Sequence, residues 1–216
     1  MLGRYDTSGF TEDQYEPGSH KKVLKNLLHI HKKKEMDREE ALAHAKTLKE
    51  LVRIYGQSHR FTEKDILRIH KIWMGPIYPW AGTYRSVKIT KEGFPFAYPG
   101  EIPRLMAEFE KNVLSKYTPC RFKSVGEMIR AIAIVHTELV LIHPFREGNG
   151  RLARLLSVLM AFQAGLPTLD FGGIKGRKKN EYIYAVQSGM SKNYTPMRKI
   201  FGEVIERSIK HVSQKG

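Results

Sequence analysis

The sequence predicts an all-α protein, a helical bundle that carries one short β-hairpin. Most of the 216-residue chain divides into segments in which apolar side chains recur every three or four residues, the period of an amphipathic helix. Only residues 86–96 alternate weakly on either side of a turn, and they form the one good hairpin candidate. Neither an internal repeat nor a long linker divides the sequence, so we expect one principal domain with modest additions.

The first third of the chain is predicted to be an arm followed by two helices. Residues 1–19 are polar and contain glycines and a proline, which indicates an irregular arm. Residues 35–55 place apolar side chains on one side and charges on the other, as a surface helix does. Thr62 followed by Asp65 is typical of a helix N-cap, and Gly75-Pro76 ends the second helix.

The hairpin candidate turns at Lys91-Glu92-Gly93 and resumes at Phe94-Pro95-Phe96. Its prolines and its short strands predict an exposed edge rather than the centre of a sheet. An exposed edge can take up an extended peptide by strand addition. A loop without a function is the alternative interpretation.

The second half of the chain is predicted to contain the core. A helix over residues 101–116 precedes the best-defined one, in which Ser124 and Glu127 form a capping box and two apolar stripes predict a buried, central position. Residues 152–160 continue as a core helix that Gly165 and Pro167 end. A basic, glycine-rich loop over 170–179 and two closing helices, 180–188 and 196–211, complete the pattern.

The formal net charge of +15 calls for a partner of opposite sign: nucleic acid, a nucleotide, an acidic protein or an anionic membrane. The densest basic segments, 31–34 and 175–179, are most simply solvated loops or helix ends. No apolar run is long enough for a membrane span, and no signal sequence is evident at the N-terminus. The lone cysteine, Cys120, excludes an internal disulfide, is most simply a buried filler, and favours a cytoplasmic location.

The chemistry is concentrated between the two core helices, where residues 143–154 read HPFREGNGRLAR. His143 stands where the buried helix ends, and imidazole has the intrinsic pKa of a base near neutral pH. The glycines around Asn149 lead into a helix start, which suits phosphate oxygens. Arg151 and Arg154 share one face of the first turn, where cations are unfavourable unless something negative binds them.

Glu147 is the one carboxylate in this stretch, and beside phosphates it would be an oxygen ligand for Mg²⁺. The competing interpretation is structural: a buried, hydrogen-bonded histidine and arginines paired with nearby acids. His136 and His143 do not form a metal pair, because seven helical residues separate them by about 10 Å. Residues 172–178 are glycine-rich but lack the spacing of a P-loop.

This stretch matches the Fic-domain signature HPFx[D/E]GNGRxxR at every specified position, so the chain resembles the Fic/Doc family. The resemblance covers roughly residues 60–205 and includes the hairpin, Glu181-Tyr182 and Pro196. Residues 15–18 and 23–26 are similar to the N-terminal part of small bacterial Fic toxins. The resemblance implies an N-terminal arm and helical extension over 1–59 and a Fic fold over 60–216.

The resemblance also implies protein adenylyltransferase activity, in which a hydroxyl of a target protein attacks the α-phosphorus of ATP. His143 would be the catalytic base and Glu147 the Mg²⁺ ligand. Gly148, Asn149 and Gly150 would hold the α- and β-phosphates, Arg151 and Arg154 the β- and γ-phosphates, and the hairpin the target. The implied binding residues are Lys91, Glu92, Gly93, Phe94, Glu147, Gly148, Asn149, Gly150, Arg151, Leu152, Ala153, Arg154 and Tyr182.

Two comparisons with the family pattern bear on this activity. Relatives of the Doc type, which phosphorylate, have lysine where Gly150 stands, and this favours AMP transfer here. Met190 stands where some relatives have an asparagine near the nucleoside. Transfer of a phosphoryl group or UMP remains an alternative, as does a basic helical protein that binds nucleic acid. A catalytically idle scaffold is a third hypothesis that the intact motif disfavours.

Many Fic proteins carry an inhibitory helix of pattern [S/T]xxxE[G/N], whose glutamate pairs with the second arginine of the motif. Ser8 to Glu12 has this spacing, but Asp13 replaces the final residue, so the chain has no full match. We therefore expect a small antitoxin protein to supply the glutamate in trans to Arg154. The toxin resemblance suggests a target such as a topoisomerase, and no membrane partner is expected.

Overall fold

A computed structural model describes residues 11–214 of the chain. The all-α prediction is confirmed: helices dominate these residues, and their sheet structure is one two-stranded hairpin. The α-helices are α1 (Lys33–Ile54), α2 (Glu63–Met74), α3 (Ile102–Phe109), α4 (Ser115–Tyr117), α5 (Val125–Ile142), α6 (Asn149–Gln163), α7 (Arg177–Ser188) and α8 (Thr195–Ser213).

Helix α5 is the central element, as its two apolar stripes predict. It packs against α3, α6, α7 and α8. The predicted capping box is present: the Ser124 side chain accepts from Glu127 N–H, and the Glu127 carboxylate accepts from Ser124 N–H. The apolar side chains along the helix are buried because neighbouring helices cover most of its circumference.

Helices α1 and α2 lie where the sequence predicts them. Thr62 caps α2 through the Asp65 N–H, and the Asp65 carboxylate bonds back to Thr62 N–H, so this is also a full capping box. The Glu110 carboxylate accepts from Glu63 N–H at 2.6 Å, so it satisfies one more of the N–H groups that the first turn of α2 leaves free. Gly75 ends α2, as expected.

The helix predicted over 101–116 is not regular. It begins as a 3₁₀ turn at Pro99–Glu101, continues as α3, widens into a π-helical segment at Glu110–Leu114 and ends as α4. A helical period alone does not distinguish these hydrogen-bond patterns, because each keeps apolar residues on roughly one face. Cys120 follows and is fully buried, and burial raises the pKa of its thiol to about 12, which fits the predicted filler role.

The hairpin consists of β1 (Thr90–Lys91) and β2 (Phe94–Pro95), antiparallel, with Lys91 opposite Phe94. Its turn residues Glu92 and Gly93 both have positive φ, the backbone that a two-residue turn of this kind requires. Both strands are largely exposed, as predicted. The first strand starts later than the predicted 86–89, because Ser86 instead donates from its N–H and its hydroxyl to Glu12.

The two ends of the described chain differ in detail from the sequence prediction. The arm was expected to be irregular, yet it contains a 3₁₀ turn at Thr11–Asp13 and a bridge between Tyr15 and Leu24. The buried Asn26 side chain holds this arm by bonds to Glu16, Leu24 and Ile30. At the other end, α7 begins at Arg177 rather than 180, so the basic loop is shorter than predicted.

Among residues 11–214, none of the helices has the length and apolar character that crossing a membrane requires. The buried apolar side chains form one core cluster that reaches from the arm to α8. The division at residue 59 that the resemblance implies stays a prediction.

The central position of α5 predicts different costs for two valines on the same helix. Val135→Ala removes two buried methyl groups and should lower the free energy of unfolding by about 2 kcal/mol. Val125→Ala is the matched control, because Val125 is 50% exposed, and it should change stability by less than about 0.5 kcal/mol. Urea unfolding midpoints with an unchanged slope measure both. Equal losses in the two variants would contradict the assigned core.

Candidate active site

The connection between α5 and α6 is a tight loop that its own side chains hold. Phe145 is fully buried and anchors the loop, and its ring stacks on His70 with centroids 3.8 Å apart. The buried Asn149 side chain accepts from Phe145 N–H at 2.9 Å and donates to Phe145 C=O at 2.7 Å. These two bonds close the loop, so the amide of Asn149 serves the fold and is not free for a ligand.

Gly148 is required where it stands, at the residue that caps α6. Its φ is +86°, and a Cβ there would lie 2.9 Å from the Trp73 ring. Because glycine has no side chain, no side chain caps the N-terminus of α6. The first-turn N–H groups of α6 therefore remain available for an anion, and Gly150 lies in that turn at the cavity wall.

His143 ends α5 in the left-handed region, with φ +53°, and is only 5% exposed. Its Nδ1 lies 3.1 Å from Val140 C=O, and since a carbonyl only accepts, Nδ1 carries the proton and Nε2 the lone pair. The Phe96 ring covers the imidazole at 3.7 Å. Burial lowers the pKa of His143 to about 4, with further lowering by Lys91 and Arg85, so the ring is neutral near pH 7.

His143 lies at the wall of a cavity of about 400 Å³, a size typical of small-ligand sites. The hairpin forms one wall and α7 another. The cations at its wall are Lys91, Arg154 and Lys179, and the anion is Glu92, which pairs with Lys179 at 3.5 Å across the two walls. The lining residues are Lys91, Glu92, Phe94, Phe96, Val140, His143, Gly150, Arg154, Ile174, Lys179, Tyr182, Ile183, Val186 and Gln187.

Arg154 is the cation that best fits a bound anion. Its guanidinium lies over the rings of Phe171 and Tyr182, 5.5 and 5.7 Å from their centroids. Its buried Nε has no hydrogen-bond partner among residues 11–214. A buried polar group without a partner is costly, so an acceptor that entered the cavity and reached this guanidinium would lower that cost.

Arg151 has different surroundings from those implied by the resemblance. It donates to the buried Glu40 carboxylate at 2.6 Å and to Glu147 at 3.2 Å, and it lies over the Trp73 ring. The residue is absent from the cavity lining. For this arginine, the interpretation of pairing with a nearby acid is correct. The sequence could not reveal it, because α1 brings Glu40 from 111 residues away.

Glu147 lies on the loop with its carboxylate ionised. Although burial acts to raise its pKa, the net shift is downward, because Gly148 N–H donates to it at 2.9 Å and Lys91 and Arg151 are close. His70 Nε2 donates to the Glu147 carbonyl at 3.1 Å and fixes the main chain. Residues 11–214 contain no cluster of three or more His, Cys, Asp or Glu, so a metal here would rely on ligands from a substrate.

Tyr182 lies at the cavity wall, but its hydroxyl faces away from a ligand. Ser157 donates to Ala153 C=O, so its oxygen accepts from His136 Nδ1, and His136 Nε2 accepts from the Tyr182 hydroxyl at 2.7 Å. His136 is a buried core residue, and burial lowers its pKa to about 3. Tyr182 can therefore offer a ligand its ring face.

The structure brings only part of the predicted set to the cavity. Leu152 and Ala153 are fully buried in the core, and Met190, which stands where some relatives have an asparagine near the nucleoside, is 66% exposed. The predicted residues at the wall are Lys91, Glu92, Phe94, His143, Gly150, Arg154 and Tyr182. The other predicted residues do not line the cavity; they are Gly93, Glu147, Gly148, Asn149, Arg151, Leu152 and Ala153.

The wall also contains residues that the sequence did not single out. Phe96 covers the imidazole, and Ile174, Ile183, Val186 and Gln187 form an apolar side with one amide. The hairpin pattern could have indicated Phe96, since it follows Phe94 by two residues and shares its strand face. Nothing in the sequence pattern distinguishes the α7 residues from an ordinary core stripe.

Comparison with known proteins gives the same family that the motif indicates. Residues 60–161 match the Fic/DOC family. Protein adenylyltransferase Fic of Drosophila yakuba is 28% identical over 149 residues, which are 68% of this chain and 28% of the relative. The chain thus spans less than a third of the length of that protein.

Two solved structures have closely similar folds. BepC, a VirB-translocated effector of Bartonella tribocorum with bound AMPPNP, superposes with a TM-score of 0.70 at 24% identity, covering 89% of this chain and 96% of that one. The N-terminal Fic domain of an effector of Bartonella quintana with bound ADP gives 0.70 at 25% identity, covering 89% and 94%. Residues 60–161 of this chain therefore match the Fic/DOC family, and the similarity of fold to the two Bartonella domains extends over 89% of the chain.

Proposed function

We propose that the protein is an adenylyltransferase that moves AMP from ATP to a Tyr, Thr or Ser hydroxyl of a target protein. The observation that carries this proposal is the neutral, inward-facing His143 at the wall of a cationic cavity in which Arg154 has an unpartnered Nε. The relatives named protein adenylyltransferase Fic, and the AMPPNP and ADP bound in the two Bartonella structures, support it.

ATP would place its phosphates between the α6 N-terminus and Arg154. Gly150 lies in the uncapped first turn, whose N–H groups and dipole favour phosphate oxygens. Arg154 lies one turn further along the same helix at the wall, and its guanidinium suits the distal phosphates. The apolar side of the cavity near Ile183 and Val186 could take the adenine ring of ATP, with the Gln187 amide as a polar contact.

The proton transfer follows from the tautomer of His143. A target hydroxyl at Nε2 would lose its proton to the imidazole as its oxygen bonds to the α-phosphorus, and pyrophosphate would leave. Nδ1 stays bonded to Val140 C=O throughout, which fixes the ring plane. The low pKa keeps the ring unprotonated and available at neutral pH.

The residues present fit Mg²⁺ that arrives with the nucleotide. Glu147 is an ionised carboxylate on the loop. Within residues 11–214 its side chain accepts from Gly148 N–H and from Arg151 through Oε1, so Oε2 can face a cation. Mg²⁺ usually takes one or two carboxylates, phosphate oxygens and waters. When bound, it would neutralise part of the charge on the phosphates. Arg151 holds Glu147 in place, rather than binding a phosphate itself.

The target segment would bind along the exposed hairpin. The short strands β1 and β2 leave main-chain groups on their outer edges, and Phe96 at the end of β2 touches His143. A peptide that pairs with the hairpin would therefore pass close to the base. The identity of the target, for which a topoisomerase is one candidate, rests on the toxin resemblance alone.

Regulation in trans by a small antitoxin is part of the proposal. Glu12, the glutamate of the incomplete inhibitory pattern, accepts from Ser86 and not from Arg154. Ser8 lies outside the described residues. Arg154 is thus open to a carboxylate from another protein. If Glu12→Ala or another change within the arm released activity that the purified chain lacked, inhibition in trans would be wrong.

Binding of nucleic acid by the basic segment 175–179 is less well supported. Lys178 pairs with Glu203, Lys179 with Glu92, and Arg177 with Glu181, so part of its charge is already neutralised. Transfer of UMP or a phosphoryl group remains a further alternative, because the motif distinguishes phosphates better than it distinguishes nucleobases.

The purified protein should label a protein of a bacterial lysate when α-labelled ATP and Mg²⁺ are added. His143→Ala should abolish the label, since it removes the base, whereas His29→Ala, a histidine of the exposed loop, should leave it unchanged. Gel autoradiography gives the readout. Label from γ-labelled ATP alone would favour phosphoryl transfer instead.

The pH profile should reflect the buried imidazole. We expect kcat/KM for AMP transfer to fall as pH decreases through about 4, and not near 6.5, because protonation of His143 removes the base. Phe96→Ala exposes the His143 imidazole and should move the midpoint of this acid limb to higher pH, toward 6.5. Circular dichroism over the same range controls for acid unfolding. An acid limb near 6.5 in the unchanged protein would contradict the assignment.

The two motif arginines should respond differently to substitution. Arg154→Ala should weaken AMPPNP binding by about 10- to 100-fold, the loss expected for charge-assisted hydrogen bonds. Arg151→Ala should instead lower the free energy of unfolding by about 1–3 kcal/mol, because the buried Glu40 carboxylate loses its partner. Calorimetry and urea unfolding separate the two effects. Equal losses of binding with no loss of stability would contradict these roles.

A further inference from the structure

Arg85 is a buried arginine that the proposed chemistry does not use. It is 2% exposed, and all three guanidinium nitrogens donate to main-chain carbonyls rather than to a carboxylate. A buried guanidinium is expensive to desolvate, and an apolar side chain of similar volume would avoid that cost. The value of this arginine to the structure therefore lies in the segments that its three hydrogen bonds connect.

The three bonds join three separate segments. Nε donates to His143 C=O, Nη1 to Val87 C=O and Nη2 to Ala97 C=O, each at 2.7 Å. The Arg85 N–H also donates to Pro144 C=O at 2.9 Å. Val87 precedes β1 and Ala97 follows β2, so one planar group ties both ends of the hairpin to the residue that carries the imidazole.

Both partners of this connection need outside support. His143 has a left-handed backbone, which is unfavourable for a residue with a side chain, and its carbonyl direction depends on that conformation. The hairpin has only two paired residues in each strand, plus the Phe96 N–H bond to Ile89 C=O, and a two-stranded hairpin of this length is marginal by itself.

We propose that Arg85 is a positioning residue that makes the hairpin and the catalytic loop one mechanical unit, so that a target segment paired with the hairpin is held in register with the Nε2 of His143. Lysine cannot replace it, because a single ammonium cannot span three carbonyls that a planar fork reaches at once. The inference rests on the proposed function for its catalytic consequence, but not for its structural one.

Arg85→Lys should separate target handling from nucleotide binding. We expect kcat/KM for AMP transfer to the lysate protein that the unchanged enzyme labels to fall at least about 10-fold, while AMPPNP binding stays within about 3-fold, because Arg85 is not at the cavity wall. Arg104→Lys is the matched control, since Arg104 is exposed and pairs with Glu101 and Glu108. An unchanged kcat/KM, or an equal loss in AMPPNP binding, would overturn the proposal.

Hydrogen exchange distinguishes a local loosening of the hairpin from a general loss of stability. In Arg85→Lys, amides of residues 87–97 should exchange at least about 10-fold faster, with those of α5 unaffected. Val135→Ala controls for a general loss of stability and should speed both regions alike. Acceleration of α5 and the hairpin by the same factor in Arg85→Lys would show global destabilisation only, and would overturn the proposal.

A measurement on the unchanged protein covers the case in which the variant does not fold. If Arg85 joins the two segments, the N–H groups of Phe96 and Arg85 should exchange through one shared opening, with the same dependence on denaturant. Separate openings would overturn the inference. Because exchange needs no substrate, an absence of AMP transfer would defeat the proposed function while leaving this test intact.

Discussion

The site depends on the two hydrogen bonds by which Asn149 closes the loop on Phe145. They join the end of α5 to the start of α6 within a few residues, so the imidazole at one helix end faces the free N–H groups at the other. Phe145 and Gly148 make the closure possible, one by anchoring on His70 and the other by leaving room for Trp73. His143 and Gly150 are thereby placed at the wall of one cavity, on elements that the core holds rigidly.

The charged side chains around this loop fall into two groups, one held in ion pairs and one at the cavity wall. Arg151, Glu147 and Glu40 satisfy one another, and through Glu40 they fasten helix α1 to the motif. Arg154 lies on the cavity side with two aromatic rings and an unpartnered Nε. The same helix turn thus holds one arginine that is paired within the fold and one at the cavity wall, and the pairing of Arg151 lowers the cost of two cations at a helix N-terminus.

The helices could be predicted from the sequence because each carries its own signal: the capping boxes at Thr62 and Ser124, and the apolar stripes of α5. The motif likewise predicted His143, Arg154 and Gly150 at the cavity. Partners from distant segments could not be predicted. Glu40 reaches Arg151, and Arg85 reaches His143, only after α1 and the hairpin have docked, and no local pattern records such contacts. The π-helical turn after α3 was missed because its period resembles that of an α-helix.

The central claim is that a neutral imidazole and a phosphate site act together to transfer AMP. Intact-mass spectrometry of a labelled target, after incubation with ATP and Mg²⁺, tests it most directly, because added AMP, UMP and phosphate differ plainly in mass. We expect a gain of one AMP on the target, absent with His143→Ala. A gain of phosphate, or a gain of AMP that persists in His143→Ala, would contradict it.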